Sequence, residues 1–269
     1  MKKNSKTIAE SFAAHRGRGI GLVPFLPAGY PDLETTAKTL LAIDAAGPAA
    51  IEIGFPFSDP IADGPTIQHA FTAALASGIK VSEIFETVQK VAGQISAPML
   101  GMLSYSIIFR YGAEKFFADA RAAGFAGLIV PDLPPPEAEK VCRQIRAADL
   151  DTILLVAPTT SPDRRREIVK LCSGFVYYLS VSGITGARDE LPPDLAANVQ
   201  ALRTMTDLPV CVGFGISQPK HIAALAKIAD GAVVGSAIVK RMSDLIPNQV
   251  SEIPRAVGEY CQSLISSVP

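Results

Sequence analysis

Apolar and polar positions along this chain follow two alternating rhythms. Predominantly apolar stretches stand at 20–26, 49–53, 99–103, 126–130, 152–156, 175–179, 209–212 and 231–234. Each is short and bounded by turn formers, so each reads as a strand covered on both faces. Between them, apolar residues recur every three or four positions. Leu33, Ala37, Leu40 and Leu41 do so behind Asp32, a candidate N-cap, and Val81, Ile84, Phe85, Val88 and Val91 do so again. Further helices are expected over 113–123, 137–148, 195–204, 218–228 and 255–264, and one over 162–171, with Ser161 as its cap and Pro162 in its first turn. Eight strands alternating with helices imply an all-parallel sheet. Closed on itself, that sheet is a (β/α)₈ TIM barrel. A helix at 8–14 would cover its bottom, and a short helix would follow strand eight. An open doubly wound sheet is the alternative. It is disfavoured because no Gly-rich fingerprint follows the first strand; Gly17, Gly19 and Gly21 precede it and read as turn glycines.

Composition narrows the picture. The 269 residues suit one barrel domain over 1–269. A net charge of −1 offers no basic surface for nucleic acid. The run Arg164-Arg165-Arg166 reads as a solvated helix face. Cys142, Cys172, Cys211 and Cys261 lack CxxC spacing, which suggests neither a disulfide framework nor a zinc site, and Cys211 reads as a core residue. His15, His69 and His221 are far apart, so no metal site is expected. The basic start is not followed by the apolar core of a signal peptide, and no apolar run is long enough for a membrane span. A cytoplasmic location is expected.

The stretch from Ala50 to Pro65 carries the most chemistry. Glu52 interrupts an apolar strand, and Asp59 and Asp63 follow in a Pro/Gly loop. A buried carboxylate is costly unless it is paired, neutralised or used. Glu52 is therefore either a hydrogen-bonded structural acid or a proton-transfer group working with Asp63 at a barrel mouth. Glycine-bearing turns follow the last three strands: Ser180–Gly186, Gly213–Ser217 and Gly235-Ser236. Singly these are ordinary turns. On adjacent strands they form a candidate phosphate cradle of backbone N–H groups at a helix N-terminus, with Ser236 adding a hydroxyl. Phe25, Leu103, Tyr105, Leu128, Tyr177 and Phe214 would wall a flat apolar ligand, or else only pack the core. Tyr177 needs a partner for its phenol if buried. Asp132, between Pro131 and Pro134, reads as a loop-ordering acid, with a partner contact as the alternative.

Six motifs carry a family resemblance: Pro24-Phe-Leu-Pro-Ala-Gly-Tyr-Pro31, Glu52-Ile-Gly-Phe-Pro-Phe-Ser-Asp-Pro-Ile-Ala-Asp-Gly-Pro65, Val130-Pro-Asp-Leu-Pro134, Tyr178-Leu-Ser-Val-Ser-Gly-Ile-Thr-Gly186, Gly213-Phe-Gly-Ile-Ser217 and Gly235-Ser-Ala-Ile-Val239. From about Ile8 to the last helix the chain resembles the tryptophan synthase alpha chains. The resemblance implies a TIM barrel that cleaves indole-3-glycerol phosphate to indole and glyceraldehyde 3-phosphate, the retro-aldol step before tryptophan is made. It implies no cofactor in this chain, a beta-chain partner carrying pyridoxal phosphate, and an alpha2beta2 heterotetramer. Glu52 matches the family's catalytic glutamate, and Asp63 the aspartate that holds the indole nitrogen. Tyr177 matches a tyrosine near the glutamate, Thr185 a loop threonine supporting Asp63, and Gly186, Gly215, Gly235 and Ser236 the phosphate binders. Phe25, Leu103 and Phe214 are the ring contacts expected beside them. After Tyr105 the family often has Asn-Pro, facing the beta chain; here Ser106-Ile107-Ile108 stands instead. The alternatives are a stand-alone lyase releasing indole, an inactive ligand-binding activator of a beta chain, and another phosphate-binding barrel.

Overall fold

The computed structural model describes residues 6–17, 19–58, 63–180, 191–213 and 215–267. Eight parallel strands close into a barrel: β1 (Gly21–Pro27), β2 (Ile51–Gly54), β3 (Met99–Met102), β4 (Phe125–Ile129), β5 (Asp151–Val156), β6 (Val176–Leu179), β7 (Val210–Gly213) and β8 (Gly231–Val234). Each pairs with the next, and β8 returns to β1 through Gly21 beside Gly231 and Pro24 beside Val234. The expected strands all form, with ends displaced by a residue or two. Helices cover the outside, so even outward-facing strand residues such as Ile51 and Ile53 are buried.

The helix Ile8–His15 covers the bottom of the barrel, as expected. Thr7 caps it and Glu10 answers with a reciprocal bond. Ser11 fixes it by donating to the Ala49 carbonyl at 2.6 Å. Phe12 reaches the strand ends and packs 5.7 Å from the Phe175 ring. Gly21 and Gly231 make room for it: a Cβ at either would meet the Phe12 ring, at 3.0 and 2.9 Å.

A helix not expected from the apolar pattern, Pro65–Ala76, stands between β2 and β3, ahead of Val81–Ala92. Its buried face is Ile67, Ala70, Phe71 and Ala74, and Pro65 stands in its first turn behind the Gly64 cap. A short helix, Tyr105–Tyr111, also follows β3, and Ser236–Leu245 follows β8 directly. The C-terminal helix is Ile253–Ile265.

The basic run corrects one expectation. Arg164 and Arg166 do make surface pairs, with Glu167 and Asp163. Arg165 instead turns toward the body, donating to the carbonyls of Pro158 and Thr160 and to Asn198 Oδ1. It clamps the loop after β5 to the helix Leu195–Arg203. All four cysteines are free and buried. Among the described residues, no helix is long and apolar enough to cross a membrane.

Candidate active site

Side chains alternate in and out along a strand, so the parity of one residue sets its neighbours. In β2, Ile51 and Ile53 face the helices and Glu52 points into the barrel. Phe25 of β1 lies beside it in register. Met102, Ile129, Leu155, Tyr177 and Val233 come inward from β3, β4, β5, β6 and β8. Together with Phe57, Asp63, Ile67, Gly215, Ile216, Gly235 and Ser236 they line a cavity of about 270 Å³ at the C-terminal ends of the strands.

Glu52 is 3% exposed, and its Oε2 has no hydrogen-bond partner among the described residues. A buried, unsatisfied carboxylate oxygen is expensive, and the group responds by holding its proton. Burial first, and the neighbouring Asp63 charge second, push its pKa from 4.5 up to about 8. The structural-acid alternative calls for a set of hydrogen bonds, and Oε2 finds none of them among the described residues.

Asp63 also reaches this cavity and is 9% exposed. It stands just before the helix Pro65–Ala76, whose Gln68 side chain reaches back to donate to the Asp63 carbonyl at 2.7 Å. That bond holds the backbone and leaves the carboxyl to the cavity. Burial raises its pKa from 3.8 to about 6. Near neutral pH the pair therefore splits, with Glu52 mostly protonated and Asp63 mostly ionised. One fold thus offers an acid and a carboxylate side by side.

Tyr177 makes no hydrogen bond among the described residues, so its phenol is left facing the cavity near both acids. Burial, then Glu52, then Asp63 push its pKa well above the ordinary value, so it stays neutral. Its ring lies over Gly213, where a Cβ would come within 2.5 Å of it. β7 ends in glycine at the point where β6 sends a large ring across it.

Just past β7, Gly215 has φ +79, a backbone conformation that favours glycine. Gly235 caps the helix Ser236–Leu245 without any side-chain hydrogen bond, and no acid stands in the first turn. Its carbonyl accepts from Ile238 and Val239. The N–H groups of Ser236 and Ala237, ahead of these, are aimed out of the helix start, at the positive end of the helix dipole where an anion would sit.

Of the expected wall residues, Phe25 and Tyr177 line the cavity, while Leu103 and Leu128 are buried away from it. Met102 and Ile129, one position off in each strand, take those places. Tyr105 does not line it either. Asp132 does, and it also orders a loop as expected: it accepts from Ser104 Oγ at 2.6 Å and from the Tyr105 N–H at 2.7 Å. The reading of single residues missed Phe57, Ile67, Leu155, Ile216 and Val233. Strand parity, counted from Glu52 through the ladder, could have found the strand residues among them. Asp59, Thr185, Gly186 and Phe214 lie outside the described residues. Among the described residues, no three His, Cys, Asp or Glu are grouped to hold a metal ion.

Comparison with known proteins agrees with this geometry. The sequence profile of a family described as tryptophan synthase alpha chain matches residues 12–266. A tryptophan synthase alpha chain from Chloroflexus aggregans is 44% identical over 262 residues, covering 97% of each chain. One from a Picosynechococcus species is 43% identical over 264 residues, covering 97% of this chain and 99% of that one. Among solved structures, a chain from Aquifex aeolicus superposes with a TM-score of 0.87 at 36% identity, covering 97% of this chain and 98% of that one. The tryptophan synthase A-subunit of Pyrococcus furiosus superposes at 0.84 with 36% identity, covering 91% and 98%.

Proposed function

Because the chain belongs to the tryptophan synthase alpha chain family, whose members cleave indole-3-glycerol phosphate to indole and glyceraldehyde 3-phosphate, we propose that Glu52 moves the protons of that reaction. Indole leaves poorly as a carbanion unless ring carbon C3 is protonated first. Protonated Glu52 delivers that proton to C3, and positive charge develops at the ring nitrogen. The Asp63 carboxylate accepts the N–H hydrogen bond and stabilises that charge. Glu52, now a carboxylate, takes the proton of the adjacent side-chain hydroxyl. The C–C bond breaks, its electrons restore the indole ring, and the hydroxyl carbon becomes the aldehyde. Glu52 ends the cycle protonated, so the step balances without an external base.

The phosphate is assigned to the N–H groups around Gly215, Gly235 and Ser236, with Gly186 completing the cradle. Phe25, Tyr177, Met102 and Ile129 hold the ring, and Phe214 is assigned to it from the family resemblance. Thr185 is assigned to support Asp63. Proximity then comes from two anchors, phosphate at one wall and ring nitrogen at the other.

The carrying observation is the partnerless Glu52 Oε2, buried in the cavity that Asp63 shares. The test is indole release from indole-3-glycerol phosphate by the purified chain, with and without a beta chain. Asp63→Asn should lower turnover roughly a hundredfold. Near-normal turnover would remove Asp63 from the mechanism.

We assign no cofactor to this chain, pyridoxal phosphate being expected only in the beta partner. The proposed assembly is alpha2beta2, in one domain per alpha chain and in the cytoplasm.

A further inference from the structure

The cavity wall at Gly215 and Ile216 is held from behind by residues that the chemistry above does not use. Ser217, next in the chain, spends both of its backbone polar groups on side chains from two different helices. Its N–H donates to His221 Nδ1 at 3.3 Å, and its carbonyl accepts from the Tyr260 hydroxyl at 2.7 Å. His221 belongs to the helix Pro219–Leu225 and Tyr260 to the C-terminal helix, and both are buried. Burial pushes the Tyr260 phenol up to about 12, so it remains a donor at any working pH.

Tyr260 makes a second contact. The Arg241 guanidinium lies 3.9 Å from the centroid of its ring. Arg241 is on the helix Ser236–Leu245, whose first residue lines the cavity. Tyr260 therefore touches both pieces of the phosphate wall, one through its hydroxyl and the other through its ring face. Those pieces follow different strands. The β7–β8 pairing covers Cys211 with Gly231 and Val212 with Ala232. Gly215 and Ser236 both lie past it, so the sheet alone does not fix their spacing.

We propose that Tyr260 and His221 are positioning residues for the substrate's phosphate, setting Gly215 against the first turn of Ser236–Leu245 so that both point N–H groups at one anion. This rests on the assignment of the phosphate to that wall. Neither side chain lines the cavity, so the effect falls on phosphate affinity and not on proton transfer at Glu52.

Tyr260→Phe deletes the hydroxyl and keeps the ring against Arg241. Losing one such hydrogen bond should raise both KM for indole-3-glycerol phosphate and Ki for glycerol 3-phosphate roughly three- to tenfold, with kcat within about twofold. The Kd of indole, which carries no phosphate, should not move. His221→Leu should give the same pattern. His221→Asn, which offers an amide oxygen where Nδ1 stands, should restore affinity. The measurements use the purified chain alone and mixed with its beta chain. An unchanged Ki for glycerol 3-phosphate in Tyr260→Phe, or an equal weakening of indole, overturns the proposal. Gly215→Val separates the two levels. If it weakens glycerol 3-phosphate while Tyr260→Phe does not, the phosphate wall stands and the positioning role fails. If Gly215→Val also leaves that Ki unchanged, the wall is misassigned and the positioning role falls with it.

Discussion

Glu52→Gln should trade activity for stability, and the trade should depend on pH. In the unfolded chain the Glu52 carboxyl titrates near 4.5, and in the folded one near about 8. A raised acid pKa means that the folded state holds a proton which the unfolded state has released. Stability from this group is therefore lost as pH rises from 4.5 through about 8. At about 1.4 kcal/mol per pH unit, the loss accumulated between pH 5.5 and pH 9 is on the order of 3 kcal/mol. Glutamine buries a neutral group of the same shape at every pH. Relative to the parent, Glu52→Gln should gain about 1 kcal/mol at pH 5.5 and about 3 kcal/mol more at pH 9. Its turnover should fall roughly a hundredfold or more at both, because the titrating group is gone. Urea unfolding followed by circular dichroism at pH 5.5, 7 and 9, run beside an indole-release assay, measures both effects. A stability difference that stays constant with pH would refute the raised pKa. Near-normal turnover would refute the proton-transfer role, whatever the stability does.

The same two carboxyls should shape the pH dependence of kcat/KM, which should rise through about 6 as Asp63 ionises and fall through about 8 as Glu52 does; a flat profile from pH 5 to pH 9 counts against the pair. Gly213→Ala places a methyl against the Tyr177 ring, so it should cost about 1–3 kcal/mol of stability by overpacking and reduce turnover as that ring shifts; a variant as stable and active as the parent would place the ring elsewhere. Thr185→Val should remove much of the activity with the fold and beta binding intact, read by indole release and by sedimentation of the mixed chains. Sedimentation of the unsubstituted pair should show an alpha2beta2 complex, and failure to form one would defeat the partner proposal.

Most of the fold was legible because a parallel barrel buries both faces of its strands. That burial writes near-continuous apolar runs, and the helices between them write a different period. The helix Pro65–Ala76 escaped because its start lies inside a Pro- and Gly-rich stretch that reads as loop. Pro65 is in fact the first-turn proline of a helix whose Ile67, Ala70, Phe71 and Ala74 already have helical spacing. Leu103 and Leu128 failed as wall residues for a different reason. In a strand buried on both sides, hydrophobicity does not say which face is inward, and a slip of one residue exchanges Met102 for Leu103. Arg165 and Asp132 act on segments far along the chain, and nothing local in the sequence records that Arg165 reaches Asn198 or that Asp132 holds Ser104.

Glu52 was legible for the same reason that it is proposed as the proton-transfer group. An acid in an apolar run breaks the pattern its strand is built on, and the break survives folding as an oxygen without a partner. What the sequence does not contain is the difference between its two acids. Glu52 and Asp63 carry the same functional group and burial raises both, but it raises the deeper strand residue further. The loop residue, nearer the mouth, ionises first, and its charge then adds to the cost of ionising Glu52. The order of ionisation is thus set by depth and reinforced by proximity. It is the order that the proposed retro-aldol cleavage of an indole calls for: a proton held ready for carbon, beside a negative charge ready for the nitrogen.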